Sequence, residues 1–182
     1  MSTCTALIVA AGRGSRFGGP LPKQYALLAG RPVLRHTVEA YRAAPGINSL
    51  RVVIAPGDET HYRAAVEGLG LPAPIPGGLS RQQSVLNGLE ALAGEAPDVV
   101  AIHDAARPFV KAVDIAACLA ATAVPGVDGA VLGVPLSDTI KRSDDTPRHC
   151  GSDGGKCMPM SPAPIVPSSA SVSACSATSA SE

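Results

Sequence analysis

The fold class follows from residues 5–25, TALIVAAGRGSRFGGPLPKQY. The run from Thr5 to Ala10 is continuously apolar, which is typical of a strand buried on both faces. A loop rich in glycine and proline follows at once, from Ala11 to about Lys23. In open α/β sheets the ligand binds at the carboxyl ends of the strands, so this loop is the first candidate for a binding site.

Beyond this loop, apolar strands alternate with amphipathic helices. Strands are predicted at 50–55, 71–75, 99–102 and 129–134, and helices at 32–44, 58–68, 81–92 and 113–122. Asp58 and Ser80 are expected to cap two of the helices. The helix at 81–92 is expected to face the core through Val85, Leu86, Leu89 and Leu92. The alternation predicts an α/β fold with a mostly parallel sheet and helices on both of its faces.

The overall composition excludes several classes of protein. The chain has 182 residues, 46% hydrophobic and 16% charged, with a formal net charge of zero. A dedicated nucleic-acid-binding protein would carry a basic excess, and no apolar run reaches the roughly 18 residues that a membrane span needs. The five cysteines form no CxxC pair and no secretory signal precedes the first strand, which favours reduced thiols. We therefore expect a cytoplasmic protein without a nucleic-acid or membrane partner.

The composition changes abruptly after residue 142. Residues 1–142 contain every leucine and every aromatic residue and carry a net charge of +2, whereas residues 143–182 contain neither and carry −2. A segment rich in serine and proline buries too little apolar surface to offset the entropy of ordering it. We predict an incomplete folded domain over residues 1–142 and a low-complexity, disordered tail over residues 143–182.

The glycine loop contains the groups of a polyphosphate site. Gly12 and Gly14 allow a close approach of the backbone to a ligand, and Arg13, Arg16 and Lys23 add three cations within 11 residues. A solvated basic loop is the alternative. The spacing departs from the dinucleotide fingerprint GxGxxG, and the P-loop pattern GxxxxGK[ST] is absent, so hydride-transfer enzymes and P-loop NTPases are disfavoured.

Two later segments also follow predicted strands. Residues 77–89, GGLSRQQSVLNGL, open a helix whose N-terminus favours anions, although a capped helix with solvated polar groups has the same pattern. In residues 102–109, IHDAARPF, Asp104 is a natural magnesium ligand and Arg107 can clamp an acceptor phosphate. An Asp–Arg ion pair closing the turn is the alternative. His103 is expected to pack structurally rather than to act as a base.

Together the patterns AAGxGxR with PKQ, GGxxRxxSVxNGL and HDAARPF resemble the 2-C-methyl-D-erythritol 4-phosphate cytidylyltransferase family, in order and spacing over about residues 4–142. The resemblance implies a Rossmann-like nucleotidyltransferase fold with its C-terminal part missing. It implies a Mg²⁺-dependent transfer of CMP from CTP to 2-C-methyl-D-erythritol 4-phosphate, with release of pyrophosphate. The alternatives are a cytidylyltransferase for another polyol phosphate, such as ribitol 5-phosphate, or an inactive nucleotide-binding remnant of the fold.

The resemblance also implies roles for individual residues. Arg16 and Lys23 would be catalytic, stabilising charge at the attacked phosphorus, and Asp104 would hold the metal. Gly78 and Ser84 would recognise cytosine, and Leu79 stands where the family frequently has aspartate. The remaining substrate-binding positions implied by the family are Ala10, Ala11, Gly12, Arg107 and Thr139.

The match stops near Arg142. The family continues with an arm that is exchanged between the subunits of a homodimer, and some members are fused to a downstream cyclase domain. We expect residues 143–182 to result from a frameshift or a premature truncation of the coding sequence. Without the arm, we expect the dimer to be weakened and the turnover of this chain to be low or absent.

Overall fold

A computed structural model of the chain describes residues 2–12 and 21–133, together with the backbone of residues 171–175. In chain order the strands are β1 (Cys4–Ala10), β2 (Leu27–Leu28), β3 (Arg31–Pro32), β4 (Ser49–Ile54), β5 (Ile75–Pro76), β6 (Val99–Asp104), β7 (Gly129–Gly133) and β8 (Ser171–Cys175). The helices are α1 (Val33–Ala43), α2 (Glu59–Ala65), α3 (Arg81–Leu92) and α4 (Ala112–Thr122), with a short 3-10 turn at Lys23–Tyr25.

The central sheet has four parallel strands in the order β5-β4-β1-β6. Ile8 on β1 lies opposite Val52 on β4 and His103 on β6. Because all four strands run the same way, the segments that follow them meet at one edge of the sheet. The α/β prediction is confirmed. The strand predicted at 71–75 is reduced to Ile75–Pro76, because the prolines of this segment cannot donate hydrogen bonds to a neighbouring strand.

Helices cover both faces of β1, which explains its uninterrupted apolar sequence. On one face Ala6 and Ile8 pack in a large cluster with Leu34 and Val38 of α1, to which α2 and α4 also contribute. On the other face, Leu7 packs in a smaller cluster whose other fully buried members are Val53 and Leu92. Residues of β1 therefore alternate between two apolar layers, as expected for a strand in the middle of an α/β sheet.

Helix α3 presents a different face to the sheet from the one that its apolar residues predict. Leu86 and Leu89, two of the four residues predicted for the core, are 47% and 37% exposed. The buried positions are Ser84, Gly88 and Leu92. A Cβ atom at Gly88 would lie 2.6 Å from a methyl carbon of Leu7, so the helix packs so close to the sheet that a side chain there would require Leu7 or the helix to move.

The helix caps agree only in part with the prediction. The Ser80 hydroxyl oxygen accepts a hydrogen bond from the Gln83 amide at 3.0 Å, as expected for an N-cap serine. Asp58 occupies the N-cap position of α2, but its side chain makes no capping hydrogen bond. Within the described ranges, no helix is long and apolar enough to cross a membrane.

Strand β7 pairs antiparallel with β8 in a separate two-stranded sheet. Five residues of the segment predicted to be disordered, residues 171–175, thus form a strand. The rest of residues 143–182 lies outside the described residues, and the division of the chain into two parts stays a prediction.

Candidate functional site

A cleft of about 1190 Å³ opens at the carboxyl edge of the parallel sheet. Its walls are the end of β1, the 3-10 turn at Lys23–Tyr25, the segment before α3 and the segment after β6. Of the ten predicted site residues, eight line this cleft: Ala10, Ala11, Gly12, Lys23, Gly78, Ser84, Asp104 and Arg107. The other two, Arg16 and Thr139, lie outside the described residues. Residues from four separate parts of the chain thus meet in one place.

Gln24 ties the turn that carries Lys23 to the end of β1. Its side chain is buried, and Nε2 donates to the carbonyl oxygens of Ala10 at 2.6 Å and Gly12 at 3.1 Å. The motif PKQ points to this segment, but the pattern alone predicts no role for Gln24. In the structure, Gln24 holds the turn of Lys23 next to Ala10 and Gly12.

Replacing Gln24 by leucine is expected to destabilise the chain. The buried carbonyl of Ala10 would lose a donor, a change that typically costs about 1–3 kcal/mol, and the exposed carbonyl of Gly12 would lose its contact to the Lys23 turn. Urea unfolding measures the effect. Gln82→Leu, at an exposed position of α3, is the matched control. An unchanged unfolding midpoint for Gln24→Leu would contradict this role.

Gly77 lets the segment before α3 pack directly against the end of β1. Its amide donates to the carbonyl of Ile54 at 2.7 Å. A Cβ atom at Gly77 would lie 2.5 Å from the Cβ of Ala11, closer than two carbon atoms can approach. Gly78 is the predicted binding residue of this pair, whereas Gly77 is the glycine that the packing against Ala11 requires. The paired glycines after a short strand were the signal for it.

Ser84 lies buried beneath the turn at Gly78 and holds it through hydrogen bonds. It is 1% exposed, and its hydroxyl accepts from the Gly78 amide at 3.0 Å and donates to the Ser80 carbonyl at 2.8 Å. The hydroxyl is therefore satisfied inside the turn, where it sets the orientation of the Gly78 backbone. Its predicted role in recognising cytosine stays a prediction. Leu79, in contrast, is fully exposed at the rim of the cleft.

Asp104 lies between two arginines at the end of β6. Its Oδ1 accepts from Nε of Arg81 at 2.9 Å, and its Oδ2 accepts from Nε of Arg107 at 3.2 Å. The carboxylate is 33% exposed, whereas the two arginine side chains are 62% and 75% exposed. The Asp–Arg ion pair weighed in the sequence analysis is thus present. The second pair, to Arg81 on α3, was not predicted because it joins residues 23 positions apart.

The carboxylate of Asp104 is the kind of donor that magnesium prefers. Magnesium is commonly bound through one or two carboxylates together with substrate phosphates and water. Across residues 2–12 and 21–133, no group of three or more His, Cys, Asp or Glu is placed to hold a metal ion. Asp104 therefore fits magnesium only as one ligand of a site that a bound phosphate group and water would complete.

Hydrogen bonds from two side chains, Thr37 and His103, support the turn after Asp104. The Thr37 hydroxyl on α1, fully buried, donates to the carbonyl of Ala105 at 2.8 Å. Nε2 of His103 donates to the carbonyl of Arg107 at 2.9 Å, and its ring packs on Tyr41 with centroids 4.9 Å apart. Burial lowers the pKa of His103 from its usual value, which favours the neutral ring. His103 thus packs structurally, as predicted.

The parallel α/β sheet, with Gly12, Lys23 and an arginine-flanked Asp104 at its carboxyl edge, has the fold of the nucleotidyltransferase class. Solved structures share this fold. The 4-diphosphocytidyl-2C-methyl-D-erythritol synthase of Anaerococcus prevotii superposes with a TM-score of 0.64 at 27% identity, over 79% of this chain and 60% of that one.

The sequence profile of the family described as 2-C-methyl-D-erythritol 4-phosphate cytidylyltransferase (IspD) matches residues 4–150. The chain belongs to this family, which confirms the resemblance. It is 48% identical over 145 residues to a bifunctional IspD/IspF enzyme of Paramagnetospirillum magneticum, covering 80% of this chain and 37% of that relative. It is 49% identical over 147 residues to a 2-C-methyl-D-erythritol 4-phosphate cytidylyltransferase of Cereibacter sphaeroides strain KD131, covering 78% and 63%. The chain thus spans between about a third and two thirds of the length of these relatives.

Proposed function

We propose that this chain binds CTP at the carboxyl edge of its sheet and contributes to transfer of CMP to 2-C-methyl-D-erythritol 4-phosphate, with release of pyrophosphate. The observation that carries the proposal is the convergence of eight predicted residues in one cleft of a chain that belongs to the family. The same proposal includes Mg²⁺ as cofactor and the cytoplasm as location.

The reaction mainly requires that the two substrates are positioned correctly and that negative charge on the phosphates is stabilised. An oxygen of the acceptor phosphate attacks the α-phosphorus of CTP, and the bond to pyrophosphate breaks. The acceptor is already an anion, so no base is needed, and His103 has a structural role through its contacts with the Arg107 carbonyl and the Tyr41 ring. Catalysis then rests on stabilising negative charge around the α-phosphorus.

Lys23 and the backbone of Gly12 are the proposed triphosphate ligands among the described residues, because both line the cleft at the end of β1. Gln24 fixes their relative position through its two hydrogen bonds. Arg16 would add a second cation by analogy with the family. Magnesium held by Asp104 would neutralise charge on the triphosphate oxygens when it is bound.

Base recognition is proposed for the turn at Gly78. Ser84 holds the backbone of this turn, so the polar edge of cytosine would meet backbone groups of fixed orientation. Arg107, which is exposed at the opposite wall, would bind the acceptor phosphate. Thr139 would assist it by analogy with the family.

The test uses the 182-residue chain. Titration calorimetry with CTP, UTP and ATP in the presence of magnesium is expected to show preferential binding of CTP. Pyrophosphate release with 2-C-methyl-D-erythritol 4-phosphate, and with ribitol 5-phosphate for comparison, measures the reaction. We expect weak turnover with the erythritol phosphate. Failure to bind CTP, or product formed from ribitol 5-phosphate alone, would contradict the proposal, whereas CTP binding without product would favour a nucleotide-binding remnant.

A further inference from the structure

Two walls of the cleft, the segment that leads into α3 and the segment that follows β6, are joined by an ion pair. Arg81 is the first residue of α3 and belongs to the wall that carries Gly78. Asp104 ends β6 and belongs to the wall that carries Arg107. Nε of Arg81 meets Oδ1 of Asp104 at 2.9 Å. The candidate base-binding turn and the candidate acceptor-binding turn are therefore connected through a carboxylate oxygen that is also a candidate metal ligand.

The ion pair between Arg81 and Asp104 costs little free energy to break. Arg81 is 62% exposed and Asp104 is 33% exposed, and ion pairs that remain in contact with water contribute little to stability. A carboxylate oxygen bound to a divalent cation is a poorer acceptor for a guanidinium, because the cation takes up its charge and repels the arginine. The metal and Arg81 are thus alternative partners of Oδ1.

We propose that Arg81 and a divalent cation compete for Oδ1 of Asp104, and that the guanidinium released by this exchange becomes a ligand of the nucleotide triphosphate. The inference rests on the proposed function, because it takes the nucleotide to occupy this cleft. In the absence of ligand Arg81 compensates the charge of Asp104. In the complex the cation does so, and Arg81 adds a positive charge to the triphosphate.

Arg107, the other arginine bound to Asp104, is not the residue that we propose to exchange with the cation. It contacts the other oxygen, Oδ2, and belongs to the same turn as Asp104. The hydrogen bond from His103 holds its backbone carbonyl. Exchange at Oδ2 would leave the connection between the walls intact, whereas exchange at Oδ1 breaks it.

The test measures how much magnesium strengthens CTP binding. The CTP dissociation constant is measured by calorimetry for the full chain, once in EDTA and once in saturating magnesium, and the ratio of the two values is the magnesium gain. For Arg81→Gln we expect CTP binding in EDTA to change little, because without a cation Arg81 stays paired with Asp104. In saturating magnesium we expect weaker CTP binding, because the released guanidinium is missing, so the magnesium gain should fall about fivefold or more.

Control variants separate this exchange from a structural effect. Arg63→Gln removes the same charge from an exposed site outside the cleft and is expected to change neither quantity. Asp104→Asn removes the shared acceptor, so adding Arg81→Gln to it is expected to leave the magnesium gain unchanged. If Arg81→Gln changes both dissociation constants by one factor, or neither, the exchange is wrong. If the unmodified chain binds no CTP in either condition, the proposed function itself fails.

Discussion

Replacing Lys23 by alanine is expected to lower the rate of CMP transfer by about 10²- to 10³-fold, the range found when one preorganised stabilising group is removed. The reason is that negative charge builds up around the attacked phosphorus, so the ammonium contact is stronger in the transition state than in the ground state. CTP affinity should fall much less than the rate. Calorimetry measures the affinity, and pyrophosphate release under single-turnover conditions measures the chemical step even where turnover is weak.

The comparison with Lys111 makes this prediction specific. Lys111→Ala removes the same charge from an exposed position that does not line the cleft, and both parameters should stay unchanged. If Lys23→Ala raised KM and weakened CTP binding while kcat stayed unchanged, Lys23 would be a ground-state ligand and not a catalytic residue. If neither CTP affinity nor the rate changed, Lys23 would not belong to the site.

Replacing Gly77 by alanine is expected to have the second large effect, on both the stability of the chain and its affinity for CTP. The Cβ of an alanine would lie 2.5 Å from the Cβ of Ala11 and 3.0 Å from the carbonyl oxygen of Ile54, so the segment must move away from β1. Overpacking of this kind typically costs about 1–3 kcal/mol. Because the displaced segment continues into the Gly78 turn, we also expect CTP affinity to fall by about tenfold or more, the equivalent of 1.4 kcal/mol.

Gly94→Ala is the matched substitution, because a Cβ atom at Gly94 meets nothing within 4 Å. It should leave both CTP affinity and the free energy of unfolding close to those of the unmodified chain. Urea unfolding and calorimetry provide the two measurements. If Gly77→Ala behaved like Gly94→Ala, the close packing of this segment on β1 would not matter for the site.

Much of this architecture could be predicted from local pattern. The apolar run of β1, the alternation of strands with helices and the Ser80 cap depend on neighbouring residues, and all three agree with the structure. The candidate site was largely predictable for a similar reason. Residues that follow parallel strands must meet at one edge, so the described parts of the motifs after β1, β5 and β6 line the same cleft.

The buried face of α3 could not be predicted in this way. Leu86 and Leu89 form an apolar stripe by spacing, yet the helix packs through Ser84 and Gly88. Close approach to Leu7 determines this orientation, and no property of the helix alone reveals how near the sheet will be. The same holds for Gly77, whose importance depends on the position of Ala11.

The candidate binding segments, and the general chemistry they offer, are therefore predictable from short stretches of this chain: a glycine loop with cations, a paired-glycine turn and an aspartate at a strand end. The contacts between these segments are not predictable in this way. Gln24 reaches back to β1, Ser84 holds the Gly78 amide, and Arg81 meets Asp104 across the cleft. These contacts join residues whose separation depends on how the helices pack on the sheet, so their geometry exists only once the chain has folded.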